Sequence, residues 1–301
     1  MPNTLAGLTV ALVAPWLSLQ PAHAHPASGI VLDEQGNIFF VYSGRGVMKI
    51  DTNGNLTNVH PTRGGHWLTL DADGRFSRFE MKFFERITAD GIKPALIFAD
   101  GGAPVAVNRD GNLYFGASPD THEVTPGALA VARVSPDGTS ALFAPAIGKT
   151  LHDLNDGITG LAAGSDGSLY IAGWNSLLEV NSDGVVTTVA HPVVVMDCDK
   201  DPADHNPAND VPLLRGLAVD SSGAVYVAAT SCHALLKITP NGEVSTILKA
   251  ERPWSPTGVA LHNGSIYVLE YTNANGPAKE SWSPRIRKVG PDGKVTVIAQ
   301  P

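Results

Sequence analysis

Short apolar runs with a period of two recur along the chain and predict half-buried β-strands; residues 169–172 and 224–228 are examples. Between such runs lies a small polar cluster that ends in glycine, as in Asn181-Ser182-Asp183-Gly184. Asp-Gly and Asn-Gly steps favour tight hairpins because these residues tolerate a positive φ at low cost. The pattern therefore predicts hairpins at residues 33–36, 51–54, 71–74, 88–91, 108–111, 135–138, 164–167, 181–184, 220–223, 239–242, 261–264 and 290–293.

These twelve turns group into units of four strands, which predict an all-β, six-bladed β-propeller with four antiparallel strands per blade. Each unit is an inner strand, a hairpin, a second strand, a longer loop, a third strand, a hairpin and an outer strand. A β-sandwich is the competing all-β fold, but it would not repeat a unit of roughly 46 residues six times. A solenoid would need shorter and more uniform repeats.

Units of the repeat start with a variable residue, which is followed by glycine, three apolar residues and Asp, as in 28–33 and 215–220. The second strand of a unit contains Tyr-Val or Tyr-Ile. This pattern resembles NHL repeats and, more broadly, the regucalcin/gluconolactonase (SMP-30/gluconolactonase-like) and strictosidine-synthase-like propellers. The resemblance covers nearly the whole chain after its N-terminal segment. It implies a fold rather than a reaction, because one scaffold hosts many chemistries.

The N-terminal segment has the features of an export signal. An apolar stretch at 5–17 precedes Ala22-His23-Ala24, a small–x–small cleavage pattern, although no Lys or Arg comes before the stretch. We expect a signal peptide at 1–24, a propeller at 25–301 and a periplasmic or secreted protein; a buried strand or helix is the alternative. No later segment reaches the roughly 18 apolar residues of a membrane span.

Charge limits the classes of partner. The formal net charge is −8 and no run rich in Lys or Arg occurs, which argues against nucleic acid because phosphate binding needs clustered cations. We expect a small-molecule ligand and a monomer.

The turn pattern also predicts which face of the propeller carries function. The short glycine turns all fall on one face, and the long connections at 117–128, 145–158, 191–213 and 271–283 fall on the other, called here the loop-rich face. Cys198 and Cys232 both fall on the loop-rich face. An even cysteine count in an exported protein suggests that they form a disulfide; two free thiols are the alternative.

The resemblance implies a position for a metal site. In regucalcin-like and gluconolactonase-like enzymes the residue before the inner-strand glycine points into the channel, where Glu, Asn or Asp binds a divalent metal. The matching residues here lack a carboxylate and include a cation: Ser28, His66, Ala103, Thr159, Arg215 and Thr257. Asp156 could supply one ligand but not three, so we expect no metal and no cofactor at this position.

A second acidic segment is a candidate calcium site. Residues 197–210 are rich in Asp and Asn, but they lack the glycine and the bidentate Glu of a calcium loop. A solvated acidic loop is the preferred interpretation.

The remaining polar and aromatic candidates are predicted to lie at the mouth of the channel. An Arg among aromatic residues suits an anionic or carbonyl-bearing ligand, and a His near a Glu suits acid–base chemistry. The predicted catalytic or charged residues are His66, Arg215 and Glu270, and the predicted ligand-binding residues are Trp67, Trp254, Tyr271, His233, Arg45, Trp174 and Asp156.

Three functions and one structural alternative follow. The first hypothesis is a ligand-binding propeller outside the cytoplasm. The second is a hydrolase, such as a lactonase, or a lyase, with His66 as base and Arg215 holding the developing negative charge. The third is a protein-interaction platform on the same loops. The structural alternative is a plain polar plug in which Arg215 and Glu270 form a buried ion pair.

Overall fold

The structure is a computed structural model that describes residues 26–62, 65–71, 84–87, 95–99, 104–117, 130–144, 147, 157–198, 211–272 and 282–301. The predicted signal peptide at 1–24 lies outside the described residues. Five sheets each contain four antiparallel strands that follow one another in sequence. The first two blades are β1 (Ile30–Leu32), β2 (Ile38–Tyr42), β3 (Gly46–Ile50) and β4 (Leu56–His60), and then β8 (Val105–Val107), β9 (Leu113–Ala117), β10 (Ala130–Val134) and β11 (Ser140–Ala144). The third blade contains β12 (Gly160–Ala163), β13 (Leu169–Ala172), β14 (Leu177–Val180) and β15 (Val186–Ala190), and the fourth contains β16 (Leu214–Val219), β17 (Val225–Ala229), β18 (Ala234–Ile238) and β19 (Val244–Lys249). The fifth blade contains β20 (Trp254–His262), β21 (Ser265–Thr272), β22 (Pro284–Val289) and β23 (Val295–Ala299).

The prediction of six four-stranded blades is wrong, because the described residues form five. Between the first and second blades lies a three-stranded sheet of β5 (Trp67–Asp71), β6 (Phe84–Ile87) and β7 (Ala95–Ala99) in the order β5-β7-β6. The β7 sequence has no polar residue and therefore suits a central strand, whereas β6 contains Glu and Arg and suits an edge. The hairpins predicted at 71–74 and 88–91 lie outside the described residues, apart from Asp71, and stay predictions.

The ten other predicted hairpins that fall within the described residues form as expected, each with its glycine at positive φ. In the turn at Asp33, the Gly36 N–H donates to the Asp33 oxygen at 3.0 Å, and the Asp33 N–H donates to the Asn37 oxygen at 3.1 Å. The Asp33 carboxylate also accepts the Asn37 backbone N–H at 2.8 Å. Turns of this kind all connect first to second or third to fourth strands, so they share one face of the ring.

The innermost strands form a closed ring in the order β1, β5, β8, β12, β16 and β20, with β20 against β1. The repeated glycine has a steric reason in this ring. A Cβ built at Gly258 would overlap the backbone oxygen of Ser28, and one built at Gly216 would lie 2.7 Å from the Gly258 Cα. Glycine therefore lets neighbouring inner strands approach closely enough to close the ring.

Apolar clusters fill the spaces between neighbouring sheets. The cluster between the third and fourth blades includes Leu177, Leu214 and Leu236, and the cluster between the fifth and first includes Phe40, Leu269 and Ile286. Alternate residues of a strand therefore face opposite neighbours, as the period of two requires. Among the residues described here, no helix is long and apolar enough to cross a membrane.

Candidate functional site

The predicted disulfide is confirmed on the loop-rich face. Cys198, in the link between the third and fourth blades, bonds Cys232 of the single-turn 3-10 helix Thr230–Cys232, which joins β17 to β18. The disulfide holds the long link against the fourth blade. It also fixes the chain on the N-terminal side of His233.

Arg215 lies at the start of the inner strand of the fourth blade and is only 6% exposed. Within the described part of the chain its one hydrogen bond runs from Nη1 to the backbone oxygen of Pro26, at 3.4 Å, and no carboxylate pairs with it. Burial lowers the pKa of this guanidinium to about 10, so Arg215 still carries its charge at neutral pH. Arg215 is thus a buried cation whose one hydrogen-bond acceptor among the described residues is weak and neutral.

The segment Pro26–Ser28, which supplies the acceptor for Arg215, is itself held by hydrogen bonds to neighbouring blades. Thr257 Oγ1 donates to the Ala27 oxygen at 2.8 Å, and the Ala27 N–H donates to Ser43 Oγ at 2.9 Å. The Ser28 Oγ is buried and has no hydrogen-bond partner among the described residues. This hydroxyl, which has no partner in the described part of the chain, lies two residues before the inner strand of the first blade.

Glu270 is fully buried on β21 and is paired with two arginines of the neighbouring strand β22. Arg285 Nε and Nη2 both lie 2.7 Å from Glu270 Oε2, and Arg287 Nη2 bonds Oε1. Neither His66 nor Arg215 is among the partners of Glu270. The carboxylate is therefore committed to a three-residue ionic cluster rather than available to orient a histidine.

Trp254 and His233 extend this cluster towards the fourth blade. The Arg285 guanidinium carbon lies 4.2 Å from the centre of the Trp254 ring, a cation–π contact. His233 Nδ1 lies 2.7 Å from the Trp254 oxygen and 3.0 Å from Ser255 Oγ. Because a carbonyl oxygen only accepts, the His233 proton lies on Nδ1, and Nε2 of the neutral ring is a proton acceptor.

Two of the predicted ligand-binding aromatics have structural contacts. The Tyr271 hydroxyl donates to the Val41 oxygen and accepts the Ser43 N–H at 3.1 Å, and burial raises its pKa. This side chain therefore joins the fifth blade to the first. Trp67 packs in the apolar cluster of β5 and the second blade, with its indole N–H buried and unpaired among the described residues.

The remaining predicted residues lie further from the cluster or contribute through their backbone. Arg45 is exposed in the β2–β3 turn, with its guanidinium 4.6 Å from the Tyr42 ring centre. The Trp174 oxygen accepts the Leu214 N–H at 2.9 Å, and the His66 oxygen accepts the Ser28 and Gly29 N–H groups at 2.9 and 2.7 Å. Asp156 lies outside the described residues.

Sequence reasoning missed Arg285, Arg287 and Ser255. A signal was available, because Arg285 and Arg287 alternate with apolar residues on one strand and must share a face. That face is also the face of Glu270, since Glu270 and Arg285 are cross-strand partners. The length of the connection at 273–283 hid this register from the sequence.

The described residues contain no group of three or more His, Cys, Asp or Glu side chains that could hold a metal ion. Of the acidic segment 197–210, only Asp197 and Cys198 are described. The Asp197 backbone oxygen accepts a hydrogen bond from Lys249 Nζ. The expectations about metal and calcium therefore stay predictions.

Fold and site together define a β-propeller with buried cationic groups on its loop-rich face. A luciferin-regenerating enzyme is 16% identical over 93% of this chain and 95% of its own, with a TM-score of 0.55. A gluconolactonase from Xanthomonas campestris is 15% identical over 82% and 83%, with a TM-score of 0.52. The calcium-binding protein regucalcin from Agrobacterium tumefaciens is 14% identical over 81% of each chain, with a TM-score of 0.51.

These structural likenesses support the β-propeller fold. No protein-family model and no curated protein matches the chain. The resemblance to NHL repeats in particular stays a prediction.

Proposed function

We propose that the chain is an exported propeller that binds a small anionic or carbonyl-bearing ligand at its loop-rich face through Arg215. One observation carries the proposal: the Arg215 guanidinium is buried without a carboxylate partner among the described residues. The disulfide supports export, because disulfides persist mainly in oxidising compartments.

The physical argument rests on the cost of burying charge. Transfer of an ion from water into the protein interior without a partner costs several kcal/mol of free energy, even after the protein relaxes around it. This cost is roughly that measured when a buried ion pair is broken. A carboxylate or polarised carbonyl of a ligand would recover much of this energy through the forked donors of the guanidinium. The unpaired Ser28 hydroxyl would add a further donor.

An enzyme is the second candidate, and the tautomer of His233 favours it. The Trp254 carbonyl holds the proton on Nδ1, which leaves Nε2 to accept a proton from a substrate or water. The names of two structural neighbours, a gluconolactonase and a luciferin-regenerating enzyme, support a lactonase-like or lyase-like reaction as the activity to assay first.

A thermal-shift titration tests the binding proposal. Gluconate, glucono-δ-lactone and inorganic phosphate are titrated at low salt, and at least one should raise Tm saturably in the wild-type protein. Arg215→Met should abolish this rise and, without ligand, should not lower Tm, because it removes an uncompensated buried charge. Lactone hydrolysis is followed in the same samples to separate binding from turnover.

Arg45→Met is the matched control, since Arg45 is an exposed arginine on the same face. It should leave the ligand response unchanged. A response that survives in Arg215→Met, or that no probe produces in the wild-type protein, contradicts the proposal.

A further inference from the structure

The interface between the fourth and fifth blades is divided into an apolar part and a charged part. The apolar part contains Ala228, Leu235, Leu248, Val259, Val268 and Val289. Arg287 is the cross-strand partner of Val268, and Arg285 is the partner of Glu270, so the two arginines and the glutamate continue the same face. The three charged residues therefore lie between two blades and not in bulk solvent.

The charges of the described residues in this interface do not balance. Two guanidinium groups share one carboxylate, and the side chains of Arg285, Arg287 and Glu270 are 10%, 9% and 0% exposed. The ionic cluster of these three residues therefore carries an excess positive charge. Burial makes such an excess costly, because the interior screens charge poorly.

Each arginine of the cluster has one buried nitrogen without a hydrogen-bond partner among the described residues, Arg285 Nη2 and Arg287 Nε. Arg285 donates from Nε to Glu270 Oε2, its Nη2 already lies in ion-pair contact with the same oxygen at 2.7 Å, and its planar face lies against the Trp254 ring. Arg287 bonds Glu270 through Nη2 alone, while its buried Nε has no hydrogen-bond partner among the described residues. An acceptor added to this cluster would therefore bind at the Arg287 Nε.

We propose that Arg287 Nε forms a binding site for a small monovalent anion in the interface of the fourth and fifth blades, separate from the Arg215 site. One negative charge balances the cluster and supplies the missing acceptor. The apolar part of the interface, which adjoins the ionic cluster, favours a small ion that needs few hydrogen bonds. A halide or the carboxylate of a short organic acid is such an ion. The ion would stabilise the contact between the two blades.

Anion-dependent unfolding tests this site. Sodium chloride and sodium acetate are titrated separately at constant ionic strength maintained with sodium sulfate, whose anion is divalent and larger, and Tm is recorded. Wild-type protein should show a saturable rise of about 2 °C, the shift that roughly 1 kcal/mol of ligand stabilisation produces in a chain of this size. Comparison of the chloride titration with the acetate titration shows whether the site accepts a halide or a carboxylate.

Arg287→Gln should lose the rise, and it leaves the cluster with one cation and one anion. Lys288→Gln is the control, since Lys288 is adjacent on β22 but faces Tyr267 on the other side; it should keep the rise. A rise that persists in Arg287→Gln, or that is absent in the wild-type protein, overturns the proposal.

A crystal grown in sodium bromide gives a test that does not depend on the folding of a variant. An anomalous peak within hydrogen-bond distance of Arg287 Nε supports the site, and its absence contradicts it. The site is independent of the proposed function, because Arg215→Met should abolish the response to gluconate, lactone or phosphate while the chloride response remains.

Discussion

His233 and Trp254 are joined by a hydrogen bond between the imidazole Nδ1 and a backbone oxygen, 2.7 Å apart, which ties the fourth blade to the start of the fifth. His233 directly follows Cys232, so the disulfide and this hydrogen bond act on the same short piece of chain. Trp254 in turn lies against Arg285, the partner of Glu270. The loop-rich face is therefore organised around the contact between these two blades.

Reduction of the disulfide should lower the stability of the whole domain. Cys198 and Cys232 are 34 residues apart in sequence, and opening a loop of this size restores chain entropy to the unfolded state worth about 4 kcal/mol. Urea unfolding with and without a phosphine reductant measures this difference. The double variant Cys198→Ser/Cys232→Ser should match the reduced wild-type protein and should not respond to reductant; equal stability of the oxidised and reduced forms would refute the prediction.

Glu270→Gln should be strongly destabilising, because it leaves two buried guanidinium groups without their shared carboxylate. The expected loss is about 3–5 kcal/mol in the free energy of unfolding, the range for breaking buried ion pairs. Chemical denaturation provides the measurement. Glu243→Gln removes an exposed carboxylate from the β18–β19 turn and should change stability by less than about 0.5 kcal/mol; similar losses in the two variants would contradict the assignment.

Tyr271→Phe should weaken the contact between the fifth and first blades in a pH-dependent way. Loss of the hydroxyl leaves a buried oxygen of Val41 and the Ser43 N–H unpaired, which costs about 1–3 kcal/mol. Burial raises the pKa of Tyr271, so at pH values above about 10 the unfolded chain loses this proton while the folded chain keeps it. The stabilisation by the hydroxyl is therefore complete below pH 10 and declines as pH rises beyond it.

Unfolding free energies of wild-type and Tyr271→Phe proteins at pH 8 and pH 11 measure this effect. The difference between the two proteins should shrink at pH 11. Tyr226→Phe, at a partly exposed tyrosine of β17, serves as the control substitution. A difference that stays constant with pH would rule out the buried hydroxyl as its source.

The sequence predicted the local parts of the fold well, because a glycine turn such as 181–184 is determined by the residues within it. Strand order is a non-local property, and there the prediction failed. The segment 71–74 has the residue types of the other predicted turns, but among the described strands β5 pairs with the apolar β7 instead of β6. Which of β6 and β7 lies at the centre of the three-stranded sheet depends on their relative hydrophobicity, and the two strands are separate segments of the sequence.

The candidate site was likewise predicted from the sequence only in part. The disulfide between Cys198 and Cys232 could be predicted because the repeat placed both cysteines on one face. The partners of Glu270 could not, because they depend on the register of β22, which follows a connection whose length the repeat does not determine. Arg215 was located by its position before an inner-strand glycine, and the lack of a carboxylate beside it appears only once the neighbouring strands are in place.

The ring of inner strands has a consequence for the way this molecule can open. Each four-stranded blade is built from one continuous stretch of sequence, so no described strand from one end of the chain pairs in a sheet from the other end. The join between the first and fifth blades is maintained by side chains, including the bonds from Thr257 to Ala27 and from Tyr271 to Val41. The ring is therefore closed by side-chain contacts at this join, and separation of the first and fifth blades would not break any of the described β-sheets.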